Sequence, residues 1–206
     1  IEFAGQSHIK TESALFTIAK LELSVPNGGE YWQAGTQKTI QWNSNYINTL
    51  NIDYFDGTSW NNIASNVDAS LGLYQWNIPS GYSNSSSRIR IVSSNYPEIK
   101  DSSDNPFKIG WITVTAPAPG VNWQAGTIQN ITWNNSSSIA AVKIEYSSDN
   151  GTNWQTIVAS TPTGSFSGSY AWNLPTNLST AVAKVRVSDA PSNGQIYGEN
   201  VNVFTI

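Results

Sequence analysis

Acidic side chains are the residues of this chain whose type is most suited to catalysis. The chain has 14 Asp and Glu residues, and a glycosidase needs two carboxyl groups about 5 to 10 Å apart across a cleft. Some of these carboxylates, however, alternate with apolar residues, as Asp53 does in TLNIDYF. A carboxylate in such a run points outward from a strand. The pattern therefore favours a structural use of the acids over a catalytic pair.

One segment has the spacing of a known sugar-enzyme motif. Ser147, Asp149, Gly151 and Trp154 fit the Asp-box pattern, which recurs in sialidases. In that box the Asp bonds to the backbone of its own turn, the Gly supplies a positive φ, and the Trp packs under the hairpin. We therefore interpret the segment as a structural turn.

Nucleophilic catalysis and a histidine or cysteine metal site are excluded by composition. His8 is the only histidine and the chain has no cysteine, so neither a Ser-His-Asp triad nor a zinc site can be assembled. The sequence predicts no cofactor, no metal and no enzyme activity. The absence of cysteine leaves the redox compartment open.

A short acidic segment leaves one metal alternative open. Asp101, Ser102, Ser103 and Asp104 could offer Ca²⁺ the oxygen ligands it prefers. The second half of the chain has no equivalent segment. We therefore interpret this one as a solvated turn.

The overall composition is that of a polar extracellular β protein. Charged residues make up 12% of the chain and the net charge is −4, so there is no basic stripe to bind the phosphates of a nucleic acid. No apolar run approaches the eighteen or so residues that span a bilayer. We expect an extracellular or cell-surface location, without nucleic-acid binding or membrane insertion.

The chain contains an internal repeat. VPNGGEYWQAGTQKTIQWN (25–43) matches APAPGVNWQAGTIQNITWN (116–134), YQWNIP (74–79) matches YAWNLP (170–175), and NPFKI (105–109) matches NVFTI (202–206). ALFTI (14–18) has the form of the same closing segment. The sequence thus predicts two copies, 21–109 and 110–206, after a remnant of an earlier copy at 1–20.

Each copy has the pattern of a β-sandwich. In the first copy, period-two alternation predicts seven short strands around 21–25, 37–43, 49–55, 60–64, 71–77, 87–93 and 105–109. The fold class is therefore all-β, with two tandem immunoglobulin/fibronectin-III-like sandwiches. Only Gly110 separates the closing strand of the first copy from Trp111, which predicts a stiff rod.

These motifs resemble a known family. The PNGGE-x-W-x-AG opening, the S-x-D-x-G-x-x-W hairpin, the Y-x-W-x-(I/L)-P strand and the closing F-x-I look like the Kre/Knh-type, Ser-Thr-rich GPI-anchored protein domain. The resemblance implies a β-sandwich of cell-surface or wall proteins, with fungal members linked to β-glucan assembly, and no catalytic residues. FDGTSW in the first copy and APAPGVNW in the second depart from the motifs.

The strand order of such a sandwich predicts two ion pairs. Its third and sixth strands are neighbours, which places Asp53 beside Arg90 and Glu145 beside Arg186. We expect both pairs to be exposed and to contribute about 0.2 to 1 kcal/mol each.

Aromatic residues are the candidates for binding a carbohydrate. Alternation points Trp42, Trp76, Trp133 and Trp172, each present in both copies, into the cores. Aromatic residues present in only one copy are better candidates for ligand contacts, and these are Tyr46, Tyr82, Tyr96 and Trp111. Tyr46 and Tyr96 should lie at the same end, or pole, of the first copy, because both are in loops where strands turn at that end. The alternative is that they pack against a preceding repeat, and Trp111 against the neighbouring copy.

Two functions follow from these observations. The first is a non-catalytic extracellular module that spaces or attaches other domains of the same chain at a cell surface or wall, with a role in adhesion. The alternative is a carbohydrate-binding accessory module of a secreted polysaccharide-degrading enzyme, whose partner would be a wall glycan. A hydrolase in its own right would need a deep cleft that holds two close carboxylates.

Overall fold

The computed structural model describes residues 18–206. The interpretation of residues 1–20 as the remnant of an earlier copy thus falls mostly outside the described residues, as does His8.

The first copy is built from nine strands within these described residues. They are β1 (Lys20–Val25), β2 (Tyr31–Gln33), β3 (Gln37–Asn45), β4 (Thr49–Phe55), β5 (Trp60–Asp68), β6 (Leu73–Asn77), β7 (Asn84–Ser93), β8 (Lys100–Ser102) and β9 (Phe107–Gly110). The three strands β1, β3 and β6 form one sheet, in the order β1-β3-β6. The other sheet has the order β2-β9-β7-β4-β5, with β8 added to β7.

The second copy repeats this plan. Its strands are β10 (Ile112–Ala116), β11 (Ile128–Asn135), β12 (Ala141–Ser147), β13 (Gln155–Pro162), β14 (Ser167–Asn173), β15 (Lys184–Asp189) and β16 (Tyr197–Glu199). They form the sheets β10-β11-β14 and β13-β12-β15-β16. Two facing sheets of mainly antiparallel strands in each half confirm the predicted all-β fold of two immunoglobulin/fibronectin-III-like sandwiches.

The cores of the two copies contain the same aromatic cluster. Trp32 lies against Trp76 and Phe107, with ring centroids 6.2 and 4.7 Å apart. The equivalent residues of the second copy, Trp123 with Trp172 and Phe204, are 6.4 and 5.0 Å apart. The four tryptophans that alternation placed in the cores, namely Trp42, Trp76, Trp133 and Trp172, are all buried.

The buried apolar side chains form two separate clusters. One extends from Leu21 to Ile109 and the other from Ile112 to Ile206. The predicted division between residues 109 and 110 falls between them. Gly110 is the last residue of β9 and β10 begins at Ile112, so Trp111 is the single residue between the two strands.

The sequence did not reveal every strand. Strands β2 and β8 have three residues each, which is too short for alternation to be visible. The predicted strand 71–77 begins two residues too early, because residues 69–71 form a 3-10 turn that ends at Gly72, whose φ is 68°. A left-handed φ of this kind is open to glycine at little cost.

Candidate functional site

A parallel pair of strands closes the first copy. Tyr31 of β2 is the register partner of Lys108 of β9, and the two strands run in the same direction. Backbone hydrogen bonds continue the pair at both ends: Gly29 N–H donates to Pro106 O at 3.0 Å, and Ala34 N–H to Gly110 O at 2.9 Å. The opening segment and the closing segment of the copy therefore lie side by side.

The same parallel pair contacts the second copy. Lys108 Nζ donates to both carboxylate oxygens of Asp189, at 3.3 and 3.2 Å, and the side chain of Asp189 is 0% exposed. The Lys108 ammonium also lies 5.5 Å from the ring centre of Tyr31, and Tyr31 packs against the core of the second copy. An ion pair whose acidic partner is fully buried thus joins the two sandwiches.

Polar contacts surround this ion pair. Gln33 Oε1 of the first copy accepts the backbone N–H of Tyr197 at 3.0 Å. Ser138 of the second copy donates its N–H to Ser83 Oγ at 3.3 Å and its hydroxyl to Ile109 O at 2.9 Å. A Cβ on Gly110 would lie 2.8 Å from Ser138 Oγ, which is closer than packed atoms allow. The joint is therefore tightly packed.

Burial sets the protonation behaviour of Asp189. Loss of solvation raises the pKa of this carboxyl above its ordinary value, and the positive charge of Lys108 lowers it in part. Desolvation disfavours the charged form and a nearby cation favours it. The charged carboxylate at the joint consequently depends on Lys108.

Two of the four aromatic candidates lie together on an open surface. Tyr46 and Tyr96 line a cavity of about 270 Å³ with Ala19 and Ile99, and their exposures are 67% and 55%. They occupy the same pole of the first copy, as the strand order predicts. Whether they contact a ligand stays a prediction.

The other two candidates are partly covered by the protein. Tyr82 stacks on Tyr54, with ring centroids 5.3 Å apart and planes at 20°. Trp111 packs against the core of the first copy, so it is part of the joint. Both are less exposed than Tyr46 and Tyr96.

The predicted ion pair of the first copy is present. Asp53 and Arg90 are register partners on β4 and β7, and Arg90 Nη2 lies 2.7 Å from Asp53 Oδ2. The guanidinium also stacks on the ring of Trp60, 4.4 Å from its centre. Because of this stacking the pair is half-buried rather than exposed.

The predicted ion pair between Glu145 and Arg186 is wrong in its partners. The two residues are register partners, but Arg186 donates to Glu199 Oε1 from Nε at 2.9 Å and from Nη2 at 2.7 Å, and Glu145 pairs with Lys143. The reason is β16, which pairs with β15 on the side away from β12 and places Glu199 directly opposite Arg186. In the first copy the equivalent position opposite Arg90 is Ser102, which leaves Arg90 to Asp53.

The Asp-box segment is a closed turn. Asp149 accepts hydrogen bonds from the Ser147 hydroxyl at 2.7 Å and from the backbone N–H of Asn153 at 2.8 Å. These bonds lower the pKa of Asp149 to about 2. Gly151 has φ 88°, and the ring of Trp154 lies under it and against the Arg186 guanidinium, 3.9 Å away.

The acidic segment 101–104 is engaged in internal hydrogen bonds. Asp101 Oδ2 accepts the N–H of Leu23 at 2.7 Å, and Asp104 Oδ2 accepts the amide of Asn27 at 2.9 Å. Ser103 is buried, so the segment is only partly a solvated turn. Within residues 18–206, no group of three His, Asp or Glu residues is placed to hold a metal ion.

Comparisons with known proteins assign the chain to no family. No protein-family model matches it and no curated protein matches it. Similar solved structures include the fibronectin(III)-like modules of Clostridium thermocellum CbhA, with 15% identity over 89% of this chain and 94% of that chain and a TM-score of 0.30. DIP-gamma IG1+IG2 has 8% identity over 90% and 97%, with a TM-score of 0.33. At these values the likeness carries no argument about fold or function.

Proposed function

We propose that this chain is a non-catalytic pair of modules that spaces and attaches other parts of a larger extracellular protein at a cell surface or wall. The observation that carries the proposal is the double role of β2 and β9. These strands pair in parallel to close the first copy, and the same strands hold the second copy through Lys108. A spacer needs both a closed module and a fixed joint.

The parallel pair also suits a chain that is pulled from its ends. Pulling the opening and closing segments of a copy apart shears parallel strands along their length, so that their hydrogen bonds are loaded together. Lys108 N–H donates to Glu30 O at 2.9 Å. In the second copy the equivalent Thr205 N–H donates to Val121 O at 3.0 Å. Both copies thus have the same arrangement.

The carboxylates on the outer sheet faces support a structural use of the acids. A cavity of about 310 Å³ beside Arg186 contains a single carboxylate, that of Glu145, and Glu145 is paired with Lys143. The equivalent cavity beside Arg90, of about 290 Å³, also contains a single carboxylate, that of Asp53. A glycosidase pair needs two carboxyl groups at one cleft, so neither cavity offers the required acids.

Single-molecule pulling on the two ends of the chain tests the spacer role. We expect two separate unfolding steps, each releasing roughly 300 Å for about ninety residues at about 3.4 Å per residue. Thr205→Pro removes one bond of the parallel pair and should lower the unfolding force of one step only. Extension without two steps would contradict the proposal.

An extracellular location fits the polar, weakly charged composition and the resemblance to the Kre/Knh-type domain, and we include both in the proposal. In the described residues no helix is long and apolar enough to cross a membrane. Secretion of the 206-residue chain from a host tests this part independently of the pulling experiment.

A carbohydrate-binding accessory module is the second candidate, because Tyr46 and Tyr96 are exposed and line one cavity. Aromatic rings with an apolar face and a polar tip suit a sugar surface. The test is binding to glucans, cellulose and chitin by the chain and by Tyr46→Ala and Tyr96→Ala. Thr58→Ala is the control, since Thr58 is exposed and does not line this cavity.

A further inference from the structure

The chain enters the first copy as it enters the second. Aligning β1 with β10 places Ile18 on Ile109, Ala19 on Gly110 and Leu21 on Ile112. Phe16-Thr17-Ile18 matches Phe204-Thr205-Ile206, the last residues of the second copy. The sequence before β1 therefore has the form of the closing strand of another copy, at the spacing found at the joint.

The cavity at Tyr46 and Tyr96 lies at the pole that forms the joint in the other copy. Ile99 O accepts the N–H of Ser93, as Ile196 O accepts the N–H of Asp189. The Tyr46 loop follows β3, as the Ser136–Ser138 loop follows β11. At this pole of the second copy, Asp189 binds Lys108 of the preceding copy, and Ser138 donates hydrogen bonds to Ser83 and Ile109 of that copy.

Exposure differs sharply between the two poles. Ile109 is 0% exposed and belongs to the core of the first copy. Its equivalent, Ile18, is 70% exposed, and Tyr46 and Tyr96 are also exposed. An apolar surface of this kind commonly marks a contact with another protein.

We propose that the pole formed by Ala19, Tyr46, Tyr96 and Ile99 is the docking surface for a preceding copy of the same module, whose closing strand is the segment 14–18. The proposal names the partner of the proposed spacer and so rests on that function. It predicts an array in which each copy packs directly on the next.

The length of chain between the copies favours this occupant over a glycan. Ile18 would end the preceding copy and β1 begins at Lys20, so Ala19 alone would separate the two. Ala19 lines the cavity itself. A module held by one residue beside the cavity has to lie against the pole that contains it.

The contact would be aromatic where the observed joint is ionic. Asp189, which accepts Lys108 at the observed joint, is replaced at the equivalent position by the buried Ser93. Tyr46 and Tyr96 supply ring surface instead, and such rings contribute strongly to interfaces. The first copy is thus suited to a partner that has no lysine at the position of Lys108. The segment 14–18 has Thr17 at that position.

The test uses the absence of cysteine in the chain. A tandem protein is made in which residues 1–206 are followed directly by residues 19–206, so that Phe204-Thr205-Ile206 takes the place of Phe16-Thr17-Ile18. Tyr46→Cys and Tyr96→Cys are introduced singly into the second unit of the tandem protein and, separately, into the 206-residue chain. The rate of maleimide labelling is measured for each.

Docking predicts that labelling at both positions is slower in the tandem protein by about tenfold or more, because the reagent then has to wait for the joint to open. Thr58→Cys, at the exposed tip of the β4–β5 hairpin, is the matched control and should react equally fast in both proteins. Circular dichroism checks that every variant has the β-sheet content of the parent.

Equal labelling rates at positions 46 and 96 in both proteins would overturn the proposal. So would labelling that is slowed by a soluble glucan in the 206-residue chain and not by the added copy, because the pole would then be a glycan site. Failure here leaves the pulling experiment on the two sandwiches unaffected, so the two proposals fail separately.

Discussion

Lys108 of the first sandwich holds Asp189 of the second, with its Nζ 3.3 and 3.2 Å from the two carboxylate oxygens. Asp189 has no exposed side-chain surface, whereas Lys108 retains 17%. The ion pair therefore ties a desolvated acid of one module to a cation of its neighbour. A buried charge without its partner is costly, and this relationship makes the joint specific to one arrangement.

Replacing Lys108 by Met should destabilise the chain by about 3 kcal/mol at pH 7, because Asp189 would be left charged and unpaired. The measurement is chemical unfolding followed by tryptophan fluorescence. The double variant Lys108→Met with Asp189→Asn removes both charges and should recover most of the loss. A cost below about 0.5 kcal/mol, as for an exposed pair, would show that the joint does not depend on this contact.

The pH dependence of that loss follows from the raised pKa of Asp189. The folded chain keeps a proton on Asp189 at pH values where the unfolded chain, with the ordinary pKa of 3.8, has released it. The contribution of this group to stability therefore falls as pH rises above 3.8 towards the raised value. In Lys108→Met the pKa of Asp189 rises further, because the cation that lowers it is gone. Asp189 then keeps its proton up to a higher pH, so Lys108→Met should cost less unfolding free energy at pH 4.5 than at pH 7.

Asp189→Asn provides the reference for this titration, since it has no carboxyl to protonate. The difference in unfolding free energy between Lys108→Met and the double variant is compared at the two pH values. A cost of Lys108→Met that is independent of pH would contradict the assignment of the titration to Asp189.

The corrected pairing of Arg186 predicts unequal effects at two glutamates. Glu199→Gln should cost about 1 kcal/mol, since Arg186 donates two hydrogen bonds to that carboxylate. Glu145→Gln should change stability by less than about 0.5 kcal/mol. Double-mutant cycles with Arg186→Lys measure the coupling, and a larger coupling to Glu145 than to Glu199 would restore the pairing expected from strand order.

Tyr46 is held in an unfavourable backbone conformation. Its φ is 56°, a region that non-glycine residues rarely adopt and that Asn tolerates better. Because the ring is mostly exposed, Tyr46→Asn should raise the unfolding free energy of the 206-residue chain by about 0.5 kcal/mol. Tyr96→Asn, the matched change without the backbone effect, should give no gain, and a loss of stability in Tyr46→Asn would indicate that the ring is needed for packing.

The sequence was sufficient to predict the features that both copies share. Alternation placed Trp42, Trp76, Trp133 and Trp172 in the cores, because period two is the geometry of a strand itself. Register also followed, since Asp53 does face Arg90. These features depend on local geometry and on the repeat, and both can be read along one chain.

Features that depend on one copy alone were harder to predict. Glu199 opposes Arg186 because the three-residue strand β16 adds to the sheet, and so short a strand has no visible period. The joint depends on Lys108 and Asp189, whose equivalents are Thr205 and Ser93. The signal that could have revealed Lys108 and Asp189 is that each charge is present in one copy only. The same comparison between the copies, made for the aromatic residues, led to Tyr46 and Tyr96.

The central claim is that the two sandwiches are held in one arrangement, and a distance between two spin labels tests it most directly. Ser65→Cys and Thr156→Cys place the labels on exposed positions of β5 and β13 in a chain that has no other cysteine. A second protein with about five Gly and Ser residues inserted after Gly110 gives the distribution of a flexible joint.

We expect a single narrow distance distribution in the chain, broadened by Lys108→Met and broadest in the protein with the inserted linker. A distribution in the unaltered chain as broad as that of the linker protein would show that the sandwiches move independently, and would contradict the account of the chain as a fixed spacer.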